Sequence, residues 1–159
     1  MSSRDLPALR ECVAADEPFL RALFRSTRID ELAPLGWSET QLDAFCNSQF
    51  DAQTIGYRNV FPDAEYFVIA AGDAPAGRLT KARTEEGLLL VDIALMPEYR
   101  NRGWGATLVR ALQDEARLAG LPLVARVDIH SRASRFYQRL GFTITATDGV
   151  RYSMIWHSG

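Results

Sequence analysis

Three apolar segments, residues 66–71, 77–83 and 88–95, follow one another with the turn signals Gly72-Asp73 and Glu86-Gly87 between them. Links that short pair consecutive strands antiparallel, so the middle of the chain reads as a three-stranded meander. Such a sheet needs cover, and the flanking segments supply it. Residues 8–15 read as a short strand. Asp16 then offers a helix cap, with Pro18 in the first turn and Phe19, Leu20, Leu23 and Phe24 as an apolar stripe. Residues 26–37 read as a loop, after which Ser38 and Gln41 match a capping box and open a helix over residues 38–57. Beyond the meander come a helix over 103–119 stopped by Gly120 and Pro122, a buried strand ending at Ile129, a short helix over 131–140 and a closing hairpin. The pattern is mixed α/β, with helices covering both faces of a central sheet. With no repeat, low-complexity tract or linker, residues 1–159 are expected to form a single domain.

A net charge of -2 supplies no global basic field, so nucleic acid is not an expected partner. Cys12 and Cys46 lack C-x-x-C spacing and read as reduced core residues, and no metal site is expected. The N-terminal stretch MSSRDLPALREC lacks the apolar core of a signal peptide, and no apolar run approaches the roughly 20 residues of a membrane span. The expectation is a cytoplasmic protein without a membrane partner. A homodimer is left open.

Chemistry concentrates in YRNRGWGATLV, residues 99–109. Gly103 and Gly105 let a ligand approach the main chain, and the helix that begins there presents unpaired amides and a positive dipole end. Arg100 and Arg102, with Asn101 between them, add charge at the rim. The combination suits a phosphate group. Leu108 stands where a dinucleotide-binding fingerprint requires a small residue, and the Gly-Lys-Ser/Thr of a Walker loop is absent. A glycine-rich turn with two solvated arginines is the plainer alternative.

The surroundings of this loop resemble the GNAT family of acetyl-CoA-dependent N-acetyltransferases. Arg100, Gly103 and Gly105 meet the signature Gln/Arg-x-x-Gly-x-Gly/Ala, after a strand that ends in LMPEYR. Ala133, Phe136, Tyr137, Gly141 and Phe142 match a second signature, in which His130 stands in place of the usual Asn. The resemblance covers nearly the whole chain and implies the GNAT acyltransferase fold. That fold is a mixed, mostly antiparallel sheet of about seven strands with about four flanking helices, its fourth and fifth strands splayed.

The resemblance also assigns roles. Acetyl-CoA becomes the co-substrate, its pyrophosphate cradled by the amides of Arg102, Gly103, Trp104, Gly105, Ala106 and Thr107. The pantetheine arm would pair with Ala94, Leu95 and Met96, with His130, Ala133 and Phe136 alongside. Trp104 has a core role as its alternative, and His130 a capping or packing one. Tyr137 becomes the acid that protonates the leaving thiolate, against plain packing as the alternative. Asp92 is the only carboxylate inside LLLVDIAL, and a carboxylate in an apolar strand calls for a partner or a function. It is the candidate base, with deprotonation through water still open.

On the residues alone, Gln49 and Gln53 border the apolar stripe of the helix from Ser38, with Tyr57 a turn further, and suit the lining of an acceptor pocket, with a solvated helix edge as the alternative. Arg78 is a candidate partner for Asp92 or for an acidic group of the substrate. The reading is acetyl transfer to a primary amine of a small molecule or peptide by direct attack in a ternary complex. A CoA-thioester sensor without turnover is the alternative.

Overall fold

The computed structural model describes residues 6–159, so Met1–Asp5 of the N-terminal stretch lie outside it. Seven strands form one sheet in the order β1-β2-β3-β4-β5-β7-β6. They are β1 (Ala8–Glu11), β2 (Glu65–Ala71), β3 (Ala74–Thr84), β4 (Gly87–Leu95), β5 (Leu123–Asp128), β6 (Thr143–Thr147) and β7 (Arg151–Trp156). The helices are α1 (Glu17–Leu32), α2 (Glu39–Val60), α3 (Trp104–Ala119) and α4 (Ala133–Arg139). Every pairing is antiparallel except β4 with β5. Among the described residues no helix is long and apolar enough to cross a membrane.

The meander forms as its turns dictate, and α2 begins at its capping box. Ser38 Oγ accepts from Gln41 N–H at 3.2 Å, and Gln41 Oε1 accepts from Ser38 N–H at 2.9 Å. Two expectations change. Helix α1 runs through Ser26 and Thr27 to Leu32, where a loop was expected. Both hydroxyls donate back to carbonyls three residues earlier, at 2.6 and 2.7 Å, which ends their competition with the helix. Pro34 and left-handed Gly36 make the turn instead. Asp16 does not cap α1 through its side chain. Its carboxylate takes Arg10 at 2.8 and 2.9 Å and the Val13 amide at 2.8 Å, which turns the chain out of β1 after Glu11.

One face of the sheet packs Ile69, Leu79, Leu88 and Leu90 against Leu108, Leu112 and Ala116 of α3, with Tyr137 of α4 and Phe142 in the same cluster. Helices α1 and α2 meet through Phe24, Cys46 and Phe50. Phe24 and Phe50 meet edge to face at 5.9 Å. Both cysteines are free; Cys46 is buried and Cys12 half-exposed.

Candidate active site at the gap between β4 and β5

The site begins where pairing stops. Strands β4 and β5 pair only from Leu88 with Leu123 to Leu90 with Ala125, and both strands continue beyond that point. Within β4 the partner of Thr80 is Asp92 and the partner of Lys81 is Leu90, so Val91 is an extra, bulged residue. The bulge reverses the alternation. Leu88 and Leu90 precede it on the α3 face, and Ile93 and Leu95 follow it there. Asp92 therefore shares the opposite face with Arg78, beside α1 and α2.

Backbone direction follows the same arithmetic. The Met96 amide donates to Ala76 O on β3 at 2.8 Å, so alternation turns the amides of Ile93 and Leu95 toward the gap. Leu95 O is occupied by Arg100 Nε at 2.9 Å, and Arg100 also reaches Ser26 Oγ at 3.3 Å. Arg100 thus ties the end of β4 to α1, where the sequence suggested a charge on the rim.

A groove of about 930 Å³ runs from this gap to the start of α3. It brings together Ala94, Leu95, Arg100, Asn101, Gly103, Trp104, Gly105, Ala106, Ala133 and Phe136. Gly103 has φ of 80° and opens α3, and Asn101 is left-handed at 61°, so the loop turns sharply and leads into the helix's unpaired first-turn amides. A methyl on Gly105 would lie 3.4 Å from the Phe136 ring, an ordinary contact, and would stand among the residues that line the groove, where the bare backbone lets a ligand come closer. A polyphosphate with an amide-rich arm fits such a cradle. Trp104 lines the groove and stacks on Tyr99 at 5.1 Å, 4% exposed.

Four predicted cofactor residues stand outside the groove lining, and the predicted acid Tyr137 is not among the lining residues either. The Met96 amide is spent on β3. Thr107 donates both its amide and its hydroxyl to Gly103 O, at 3.1 Å each. Arg102 lies over the Tyr99 ring at 5.8 Å. His130 is exposed, and its amide donates to Asp128 Oδ1 at 2.7 Å. Ser131 lines the groove in its vicinity, and its hydroxyl accepts from the Ala133 amide at the start of α4 at 3.0 Å. Thr27, Ile93, Arg132 and Arg139 also line it and were not foreseen. The arginines were legible in principle, because they fall on the helical face of Phe136.

Tyr137 is buried between Phe136 and Phe142, with both ring centroids 5.1 Å away. Burial pushes its phenol well above the ordinary value, and the charge of Asp92 adds to that. The phenol is protonated at any physiological pH. Asp92 Oδ2 accepts from Arg78 Nε at 2.6 Å, and Arg78 extends a second donor to Gln53 Oε1. The expected Arg78–Asp92 pair is therefore present and anchored to α2.

The predicted acceptor residues also converge. Gln49, Gln53 and Tyr57 line a pocket of about 500 Å³ together with Phe24, Arg28, Arg126 and Arg151. Burial, with Asp92 nearby, pushes Tyr57 up to about 12. A smaller void of about 220 Å³ at Arg78 and Asp92 shares Phe24, Arg28 and Gln53 with this pocket. It shares Thr27, Ile93 and Ala94 with the groove. One passage thus crosses the sheet at the gap.

Residues 62–144, more than half of the chain, match the family described as "Acetyltransferase (GNAT) domain". The chain belongs to the GNAT acetyltransferases. It is accordingly an acyltransferase whose donor is acetyl-CoA. No curated protein sequence matches it. Solved structures share the fold of this GNAT protein. The PaiA N-acetyltransferase of Thermoplasma acidophilum, in complex with coenzyme A, is 19% identical, with 98% of each chain covered and a TM-score of 0.71. An acetyltransferase from Thermus thermophilus is 23% identical over 95% of this chain and 96% of its own, with a TM-score of 0.68. The spermidine/spermine N-acetyltransferase SpeG of Vibrio cholerae, in complex with manganese ions, is 16% identical over 98% and 94%, with a TM-score of 0.60.

Proposed function

We propose that residues 1–159 act as one N-acetyltransferase domain, moving the acetyl group of acetyl-CoA to a primary amine by direct attack in a ternary complex. The observation that carries this reading is the passage through the sheet. The groove suited to CoA and the pocket suited to an acceptor are bridged by the void at Arg78 and Asp92, which shares Ile93 and Ala94 with the one and Gln53 with the other.

Each residue then has a task. The amides of Gly105 and Ala106 hold the pyrophosphate, and Arg132 and Arg139 neutralise charge along the groove. The gap-facing amides of Ile93 and Leu95 pair with the pantetheine arm and polarise the thioester carbonyl. Gln53 and Tyr57 position the amine. Asp92 keeps one oxygen on Arg78 and offers the other to the proton that the amine sheds, directly or through water. As the C–N bond forms and the C–S bond breaks, Tyr137 gives its proton to sulfur. A phenol held neutral by burial still carries its proton when charge builds on sulfur, and is unsuited to act as the base.

The test is release of the CoA thiol in the presence of primary amines, with mass spectrometry of the amine product. A gain of one acetyl group is expected. Tight acetyl-CoA binding with no product from any amine would leave a thioester sensor in its place.

A further inference from the structure

The charged side chains that line the acceptor pocket are all cationic, in a chain whose net charge is -2. Arg28 comes from α1, Arg126 from β5 and Arg151 from β7, and no Asp or Glu joins them in the lining. The acids that touch them stand outside: Glu31 meets Arg28 at 2.9 Å and Glu86 meets Arg126 at 3.2 Å, and both are more than half exposed. The Arg151 guanidinium has no ion pair among the described residues. Its charged neighbour Asp148 is already engaged, accepting from the amides of Val150 and Arg151 at 2.8 and 2.7 Å. The remaining polar lining, Gln49, Gln53 and Tyr57, is uncharged, and the charges of Arg28, Arg78 and Arg151 all act on Tyr57.

Three guanidiniums from three separate elements surround a concave, partly apolar space next to the position assigned to the amine. Their forked donors match carboxylate and phosphate oxygens. A second ammonium group on the acceptor would instead be repelled there. The inner end differs, because Asp92 neutralises Arg78 at the point where the amine must arrive. We infer that the acceptor is a small primary amine that also carries an anionic group, a carboxylate or a phosphate, bound between Arg28, Arg126 and Arg151. The inference rests on the acetyl-transfer reading above and narrows it to a substrate class.

Matched amines test it: γ-aminobutyrate against γ-aminobutyramide, β-alanine against β-alaninamide, phosphoethanolamine against ethanolamine, and spermidine as the polycation. Two readouts are taken for each, kcat/KM from CoA-thiol release and calorimetric binding to the CoA-loaded protein. The anionic member of at least one pair should exceed its neutral partner by roughly tenfold to a hundredfold, and spermidine should be the poorest. The carboxylate and phosphate pairs separate the two anion types. Arg151→Gln should collapse the ratio toward one and Arg151→Glu should invert it. Arg117→Gln removes an equal charge from the exposed Arg117–Asp114 pair of α3 and should leave the ratio intact. Arg126→Gln gives the same reading should the Arg151 variants not fold. Equal or better turnover of the neutral amines or spermidine would overturn the anionic class and leave acetyl transfer standing. Arg151-dependent binding of the anionic members without turnover would support the class and sink the transfer reading. No charge preference in either readout would overturn the inference.

Discussion

The two ends of the passage are built from different materials. On the CoA side the proposed contacts are mostly main chain: the α3 amides, the gap-facing edge of β4 and the bare backbone of Gly105, with Arg132 and Arg139 as side chains along the groove. On the acceptor side they come from side chains, with Arg28, Gln53, Tyr57, Arg126 and Arg151 drawn from four elements. A backbone site demands a few glycines at fixed spacing and tolerates almost any neighbour, so one short motif can specify it. A side-chain site demands particular residues at positions that only the fold brings together. The first is therefore common to a family and the second particular to a chain.

The strongest challenge to that division is Tyr137→Phe, which removes one proton from the CoA side and leaves its packing intact. kcat should fall by about a hundredfold to ten-thousandfold, with acetyl-CoA affinity and melting temperature near wild type. Turnover within a few-fold of wild type would show that the ring only packs and that the thiolate draws its proton from water.

Next comes Gly105→Ala, which tests whether main chain does the binding. The new methyl meets Phe136 at an ordinary 3.4 Å, and alanine favours a helix over glycine, so the folded protein should hold or gain stability. Acetyl-CoA affinity should nevertheless drop by roughly tenfold, while acetyl-pantetheine, which has no pyrophosphate, should lose far less. Equal losses for both ligands would detach the pyrophosphate from this helix start.

A smaller effect is expected across the sheet. Gln53→Ala should raise the KM for the amine about threefold to tenfold and leave acetyl-CoA affinity unchanged, since the residue borders the acceptor pocket and not the groove. A parallel change in CoA affinity would mean that the two ends are not separable.

The smallest effect is on alkaline stability and involves both tyrosines. Each phenol titrates above its ordinary value when folded, so each stabilises the fold fully below pH of about 10 and loses that contribution as pH rises toward the folded value. For Tyr57 that value is about 12. Tyr57→Phe and Tyr137→Phe should each move the alkaline unfolding midpoint upward, by less than about one pH unit. Circular dichroism across pH 9–12 reads the shift, and a midpoint that moves down would reverse the sign.

What was legible in the sequence follows the same division of materials. The meander, the α2 capping box, the glycine loop and the end of the third meander strand at Leu95 are set by local chemistry, and they stand where the residues indicated. The run of α1 through Ser26 and Thr27 was hidden because polar residues read as loop until their hydroxyls are seen bonding back into the helix. That Ser131 and not His130 lines the groove could not be read either, since it follows from the turn at which Asp128 holds the His130 amide. Arg28, Arg126 and Arg151 carry no spacing signal at all. They are neighbours only because α1, β5 and β7 converge on one pocket.

The extra residue at Val91 has a consequence for how this sequence can vary. Point substitutions along β4 change one side chain each, but a change in length away from the bulge rotates the strand on one side of it. Were Val91 taken up into a regular pleat, Asp92 would point into the cluster of Leu88, Leu90 and Leu108, and Ile93 and Leu95 would turn toward the helices α1 and α2. Losing Val91 itself would leave every face as it is, because Leu90 and Asp92 would then alternate directly. Drift by substitution is open to this segment, and drift in length is open only at the bulge.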